Sequence, residues 1–408
     1  MNKSQLLKFK LKNYRSFYDE QVINFCEGDA ARPVTAIYGP NASGKSNIMK
    51  ALAFMKWFII NSTAANILDI PVEPFMLKEG FSERPSEFEV EFQNDGRHFI
   101  YGYAATRIEI HYEYLREYTG ATKKSLTTIF ERQKGNKLNP SAIKFNFGKK
   151  LNESTRPTSL LITKARENNN EYANALFDWL DNIDVLFGAP DETTHWSISQ
   201  LRNNKELTLD VLELMKQADL WIRGFSIEDV DIPAELINQL PFSEEIKRTM
   251  LSASDKPSSV KTVHALRDVN QKIVGEQIFD MTANESNGTQ RIFSLAAPII
   301  NTLQNGKILF IDEFGTYLHP DMCNFLVALF KSDRNKFNAQ LIINTHDTSL
   351  MSQNGPLERG DVLFVEKNQV EETIISALID KSTRIGDRFE KRYRQGLYGA
   401  KPQIGLWD

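Results

Sequence analysis

The sequence predicts an α/β fold of the phosphate-loop type, β-rich in its first part and mainly helical in its middle. Three observations carry this. A glycine-bearing loop, Gly39-Pro-Asn-Ala-Ser-Gly-Lys-Ser46, stands between an apolar β-branched run and an amphipathic stretch. Strand-like and helix-like segments alternate from about Val260 onward, as in a parallel sheet with covering helices. Helical periodicity dominates the residues between these two regions.

Each element follows from its pattern. Leu7, Phe9 and Leu11 alternate with lysines, which reads as a half-buried strand, and residues 21–25 read as its neighbour. Residues 34–38, VTAIY, are short, apolar and β-branched and predict a buried strand. Beyond the loop, Ile48, Ala51, Leu52, Met55, Phe58 and Ile59 recur in steps of three and four, the spacing of an amphipathic helix. Residues 87–92 alternate, turn at Asn94-Asp95-Gly96 and return through His98 to Thr106 as a hairpin.

In the middle, Leu176, Leu180, Ile183 and Phe187 predict one helical face, and Leu207, Val211, Leu214 and Ala218 another. Residues 262–266 and 277–281 read as strands. Ile292, Leu295, Ala296, Ile299 and Leu303 predict a helix that Pro298 should kink or end. Strands are expected at 307–311, 340–344 and 362–365, with a helix through Met322, Phe325, Leu326, Leu329 and Phe330. The expected division is 1–150, 151–259 and 260–408: an N-terminal lobe, a helical insertion and a C-terminal lobe.

Bulk properties exclude several classes. Forty-nine Lys and Arg face 53 Asp and Glu, a net charge of −4, so the chain as a whole is no polycation drawn to nucleic acid. Two distant cysteines, Cys26 and Cys323, form neither a disulfide framework nor a C-x-x-C metal pair and suit a reducing cytoplasm. The first residues carry no apolar signal core, and no apolar run is long enough to span a membrane.

The loop has the chemistry of a phosphate cradle. Backbone N–H groups of Gly39, Pro40, Asn41, Ala42, Ser43, Gly44, Lys45, Ser46 and Asn47 (proline excepted) would meet phosphate oxygens at a helix N-terminus. Lys45 would reach the terminal phosphates of ATP and Ser46 would hold Mg²⁺. The strand at 307–311 ends in Asp312-Glu313, which offers a metal-positioning carboxylate in Asp312 and a general base in Glu313. Upstream, Ser286, Gly288 and Gln290 form S-x-G-x-Q before the helix from Arg291, a second candidate anion site. Downstream, His346 follows a strand, where it could hydrogen-bond a γ-phosphate or the attacking water.

These motifs, in this order, resemble the ABC-type ATPases. The wide separation of Lys45 and Asp312 favours the SMC, RecF and OLD branch, whose first strands resemble residues 10–25, KLKNYRSFYDEQVINF. GTYLHP (315–320), THD (345–347), RGDVLFVEK (359–367) and DRFEKRYRQGLYGAKPQI (387–404) resemble the AAA-family ATPases of phage-defence loci, the RloA-like group and its AriA relatives.

The resemblance implies a homodimer or higher oligomer in which Ser286, Gly288 and Gln290 of one copy complete the site around Lys45 of another. Residues 314–320 would be the loop at that seam, and Arg15 a phosphate or ribose contact. It also implies a separately encoded effector such as a Toprim or RloB-like nuclease. The chain's own Asp361-to-Glu366 run mimics a Toprim strand but lacks the D-x-D pair that would hold catalytic metals. A RecF/SMC-like DNA-binding repair ATPase is the alternative, and a scaffold that binds ATP without consuming it is a third reading. Two basic stretches, 121–150 and 384–401, could contact DNA or RNA, though a solvated or protein-contacting face is the preferred reading of both.

Overall fold

A computed structural model describes residues 4–120, 125–135, 137–138, 148–188, 190–202, 204–218, 220–230, 258–381 and 389–402. The basic stretches at 121–150 and 384–401 therefore lie partly outside the described residues. The chain forms two compact units, one of residues 1–188, 302–316 and 320–408, the other of 189–301 and 317–319. These limits fall elsewhere than 150/151 and 259/260. Helices Leu161–Glu167 and Glu171–Leu180 bury Leu161, Leu176 and Trp179 in the same apolar core as the N-terminal strands.

In the first unit, seven antiparallel strands run Lys137–Leu138, Ser125–Gln133, Ile110–Thr119, Arg97–Ala105, Ser86–Asn94, Ser4–Lys12 and Gln21–Asn24 in spatial order. The expected hairpin closes between Asn94 and Arg97. A bulge between Leu6 and Lys8 turns both Leu6 and Leu7 inward, after which the alternation resumes.

The second sheet of this unit has six strands, ordered Ile183–Leu186, Ile308–Ile311, Gln340–Asn344, Val34–Tyr38, Val362–Lys367 and Thr373–Ala377. The first five are parallel and the last is antiparallel. Helix Lys45–Asn61 shares one core with both sheets through Ile48, Leu52, Met55 and Phe58, with Phe9 and Val90 from one and Ile37 and Phe310 from the other. Burying each such side chain contributes about 1.5–3 kcal/mol. Gln340 joins the sheets: its Oε1 accepts from Leu6 N at 2.7 Å and its Nε2 donates to Leu6 O at 3.0 Å.

One expected helical face is wrong in its second half. Leu176 and Leu180 lie on a helix, but that helix ends at Leu180, and Ile183–Leu186 is a strand paired parallel with Ile308–Ile311. The three-residue step to Ile183 mimics helical spacing. A place beside Ile308–Ile311 instead takes β-branched Ile183 and Val185 into the sheet. Helix Leu161–Glu167 is held by the buried Glu113, whose carboxylate accepts from Leu161 N at 2.7 Å and Ile162 N at 2.9 Å.

The second unit contains helices Pro190–Leu201 and Lys205–Gln217 and a three-stranded sheet, Gly224–Asp229, Ser258–Arg267 and Ile273–Asp280. The last strand stops at Asp280, not at 281, because the Asp280 carboxylate caps the helix Met281–Asn284 through Thr282 N and Ala283 N. Helix Asn287–Asn305 runs through Pro298 without ending there. Proline removes the N–H that would bond Ser294 O, and Ser197 Oγ donates to that carbonyl at 2.7 Å instead. No helix among the described residues is long and apolar enough to cross a membrane.

Candidate nucleotide site

The central strand Val34–Tyr38 is buried at all five positions between Gln340–Asn344 and Val362–Lys367. Its end therefore delivers the following loop to the edge of the parallel sheet, where open α/β sheets hold ligands. Two glycines are forced there. A Cβ on Gly39 would run into the Val365 carbonyl oxygen. Gly44 has φ 109° and leads into helix Lys45–Asn61, and a Cβ there would strike the Thr373 side chain. Ala42 also adopts a left-handed conformation, φ 62°.

Lys45 is buried, and its Nζ donates to Gly39 O at 2.7 Å and Pro40 O at 2.9 Å. Burial pushes its pKa down to about 8, against the opposing pull of Asp312 and Glu313. Ser46 Oγ donates to Asp312 Oδ1 at 3.1 Å. Asn344 clamps the same corner: its Nδ2 donates to Asp312 Oδ1, and its Oδ1 accepts from Glu313 N at 2.7 Å. Glu313 itself is held at φ 51°, a strained conformation of the kind that collects at working sites. Burial and the charge of Lys45 lower the pKa of His346, while Glu313 pulls the other way.

Loop residues 41–47 line a cavity of about 290 Å³ together with Glu313, Asn344 and His346. Lys45, Ser46, Asp312, Glu313 and His346, scattered over more than 300 positions, are thus brought to one place. A hydroxyl and a carboxylate in contact make a hard oxygen pair that fits Mg²⁺, an ion that takes one or two protein oxygens and completes its shell with water and phosphate. No cluster of three or more His, Cys, Asp or Glu able to hold a metal exists among the described residues.

Ser286, Gly288 and Gln290 lie in the second unit. Their helix starts at Asn287 rather than at Arg291, so Gly288 and Gln290 are inside its first turn. Ser286 Oγ accepts from Thr289 N at 3.1 Å, a helix cap, and Gln290 Nε2 donates to Glu285 O at 3.0 Å. A Cβ on Gly288 would lie 3.2 Å from Tyr317 O, a close approach that keeps the position small. Arg15 pairs with Glu73 at 2.6 Å and is not among the residues lining the cavity.

A family profile described as "AAA domain, putative AbiEii toxin, Type IV TA system" matches residues 34–352. The chain belongs to that AAA-domain family. The match runs from the strand before the phosphate loop to just past His346, and so spans every residue of the cavity. Among curated proteins, none matches the sequence. Of solved structures, the SMC head domain from Thermotoga maritima is similar at 14% identity and TM-score 0.40, covering 91% of this chain and 98% of that one. An SMC head bound to the C-winged helix domain of ScpA is similar at 16% identity and TM-score 0.47, covering 92% and 99%. An SMC head with an extended coiled coil from Pyrococcus furiosus, bound to the C-terminal domain of ScpA, is similar at 13% identity and TM-score 0.41, covering 92% and 97%.

Beyond the matched residues 34–352, the Toprim-like run has a plain place. Val362–Lys367 is the strand next to Val34–Tyr38, and Glu366 accepts from Ala400 N at 2.8 Å. The C-terminal aromatics pack rather than wait for bases: Tyr393 and Tyr398 stack on Phe364, with ring centroids at 5.3 and 5.6 Å.

Three supporting residues, Ser16, Asn344 and Thr373, escaped the sequence reading. Thr373 Oγ1 lies 2.8 Å from both Ser43 O and Ser16 Oγ, and Asn47 Nδ2 donates to Ser16 Oγ at 2.8 Å. Nothing in sequence marks Ser16 or Thr373, since their role depends on a strand that joins the sheet 330 residues after Ser43. Asn344 was legible in principle, because it ends the strand immediately before Thr345-His346-Asp347.

Proposed function

We propose that the chain binds ATP with Mg²⁺ at the Lys45–Ser46–Asp312 corner and hydrolyses it. The contact between Ser46 Oγ and Asp312 Oδ1, with Glu313 and His346 in the same cavity, supports this reading most. Lys45 exchanges the carbonyls of Gly39 and Pro40 for phosphate oxygens and regains full charge beside them. Ser46 and Asp312 would hold the metal, which would supply positive charge beside the phosphates. Glu313 takes the proton of the attacking water, and its backbone is aimed by Asn344. The imidazole of His346 hydrogen-bonds the γ-phosphate or the water.

Two copies pair when ATP is bound, with Ser286, Gly288 and Gln290 of one closing on the phosphates held by the other. Opening after hydrolysis controls a separate effector, a nuclease or toxin, in cytoplasmic anti-phage defence. Steady-state phosphate release, with molar mass measured with and without ATP, tests both parts. Turnover absent in the wild type removes the enzyme reading. A mass unchanged by ATP in Glu313→Gln removes the pairing. Co-purification of the native complex names the effector, whereas turnover stimulated by DNA with a steep salt dependence would favour a repair ATPase.

A further inference from the structure

Glu285 immediately precedes the S-x-G-x-Q motif of Ser286, Gly288 and Gln290, and its side chain is 11% exposed. Its Oε1 accepts from Thr262 Oγ1 at 2.5 Å and lies 2.8 Å from His264 Nε2, both on the strand Ser258–Arg267. Its backbone N–H donates to Met281 O at 3.3 Å, and its carbonyl accepts from Gln290 Nε2 at 3.0 Å. Thr262 is fully buried, and the His264 ring packs 5.2 Å from the ring of Phe279 on the adjacent strand. The donors are therefore fixed by the sheet, while the acceptor belongs to the segment that opens helix Asn287–Asn305.

We infer that Glu285 is a positioning residue: its carboxylate pins the start of helix Asn287–Asn305 to that strand and thereby sets the direction of Ser286, Gly288 and Gln290. The inference rests on the proposed ATPase function and adds a residue to it. A carboxylate that only filled space would not need both donors on one oxygen. The geometry uses Oε1 as an acceptor, and the amide oxygen of a glutamine can occupy the same place. Because Gln290 leans on the Glu285 carbonyl, displacing this residue also releases the Gln290 side chain.

The test compares Glu285→Ala, Glu285→Gln and Lys45→Ala in the full chain, with ATP as the probe. Fluorescent-nucleotide affinity and phosphate release at saturating ATP are measured for each. Glu285→Ala should lower kcat by about tenfold with nucleotide affinity within about twofold of wild type, and Glu285→Gln should restore turnover. Wild-type kcat in Glu285→Ala would overturn the inference, as would a Glu285→Gln protein as slow as Glu285→Ala. Should Glu285→Ala fail to fold, Thr262→Val combined with His264→Ala removes the donors instead and must reproduce the loss. Lys45→Ala separates the two claims: if it turns over normally the ATPase reading itself fails, and if it is dead while Glu285→Ala is normal only the positioning role fails.

Discussion

Ser46 and Asp312 stand 266 positions apart in the chain, yet the serine hydroxyl donates to the aspartate carboxylate at 3.1 Å. The contact exists because Val34–Tyr38 and Ile308–Ile311 flank the same strand, Gln340–Asn344, and all three run parallel. Parallel strands end on one side of their sheet, so the loop after one and the acids after another meet there. The proposed nucleotide chemistry rests on this topological fact.

Lys45 should couple nucleotide binding to protons. Its pKa is about 8 in the free protein, and phosphate oxygens beside the ammonium favour the charged form. The bound state thus holds more proton above pH 8, so affinity falls as pH rises through that value and is flat with respect to this group below it. Calorimetry at about pH 8.5 in two buffers of different ionisation enthalpy should show proton uptake, and Lys45→Ala should lose both the uptake and about tenfold in affinity.

Asn344→Ala should act through the metal and the base rather than through phosphate grip. It frees Asp312 on one side and the Glu313 backbone on the other. Loss of such a support costs about 10–100-fold in metal affinity or activity. A magnesium titration of phosphate release should show the midpoint moving upward, with nucleotide affinity in its absence unchanged.

Thr373→Val should loosen the loop without touching the reacting atoms. Valine keeps the shape but abandons Ser43 O and Ser16 Oγ. At about 1 kcal/mol for each hydrogen bond, KM for ATP should rise by about five- to thirtyfold with kcat little changed. An unchanged KM would mean that the loop is held by its glycines alone.

Ser197→Ala should destabilise by about 1–2 kcal/mol, because it strands the Ser294 carbonyl that Pro298 leaves without a helix partner. Chemical denaturation reads this directly. In a Pro298→Ala background the helix supplies its own donor, and the same substitution should cost close to nothing.

Much of this was legible in the sequence for local reasons. The loop, its strand and its helix are contiguous, and the hairpin turning at Asp95-Gly96 is written in alternation and turn chemistry. Asp312 and Glu313 could be placed because four apolar residues in a row fix the strand that ends on them. What was not legible depends on partners distant in the chain. Ile183 joined a sheet whose open place no local pattern reveals. Pro298 stayed inside its helix because Ser197, on another helix, answers the freed carbonyl. Helix Asn287–Asn305 starts four residues early because Ser286 caps it, so the motif expected ahead of the helix forms its first turn.

The most direct measurement is steady-state phosphate release by wild type and Glu313→Gln, with ATP affinity measured on both. Hydrolysis at this site by Glu313 requires magnesium-dependent turnover in the wild type and a fall of about 10²-fold or more in the variant, with ATP still bound. Equal turnover in the two proteins would contradict it.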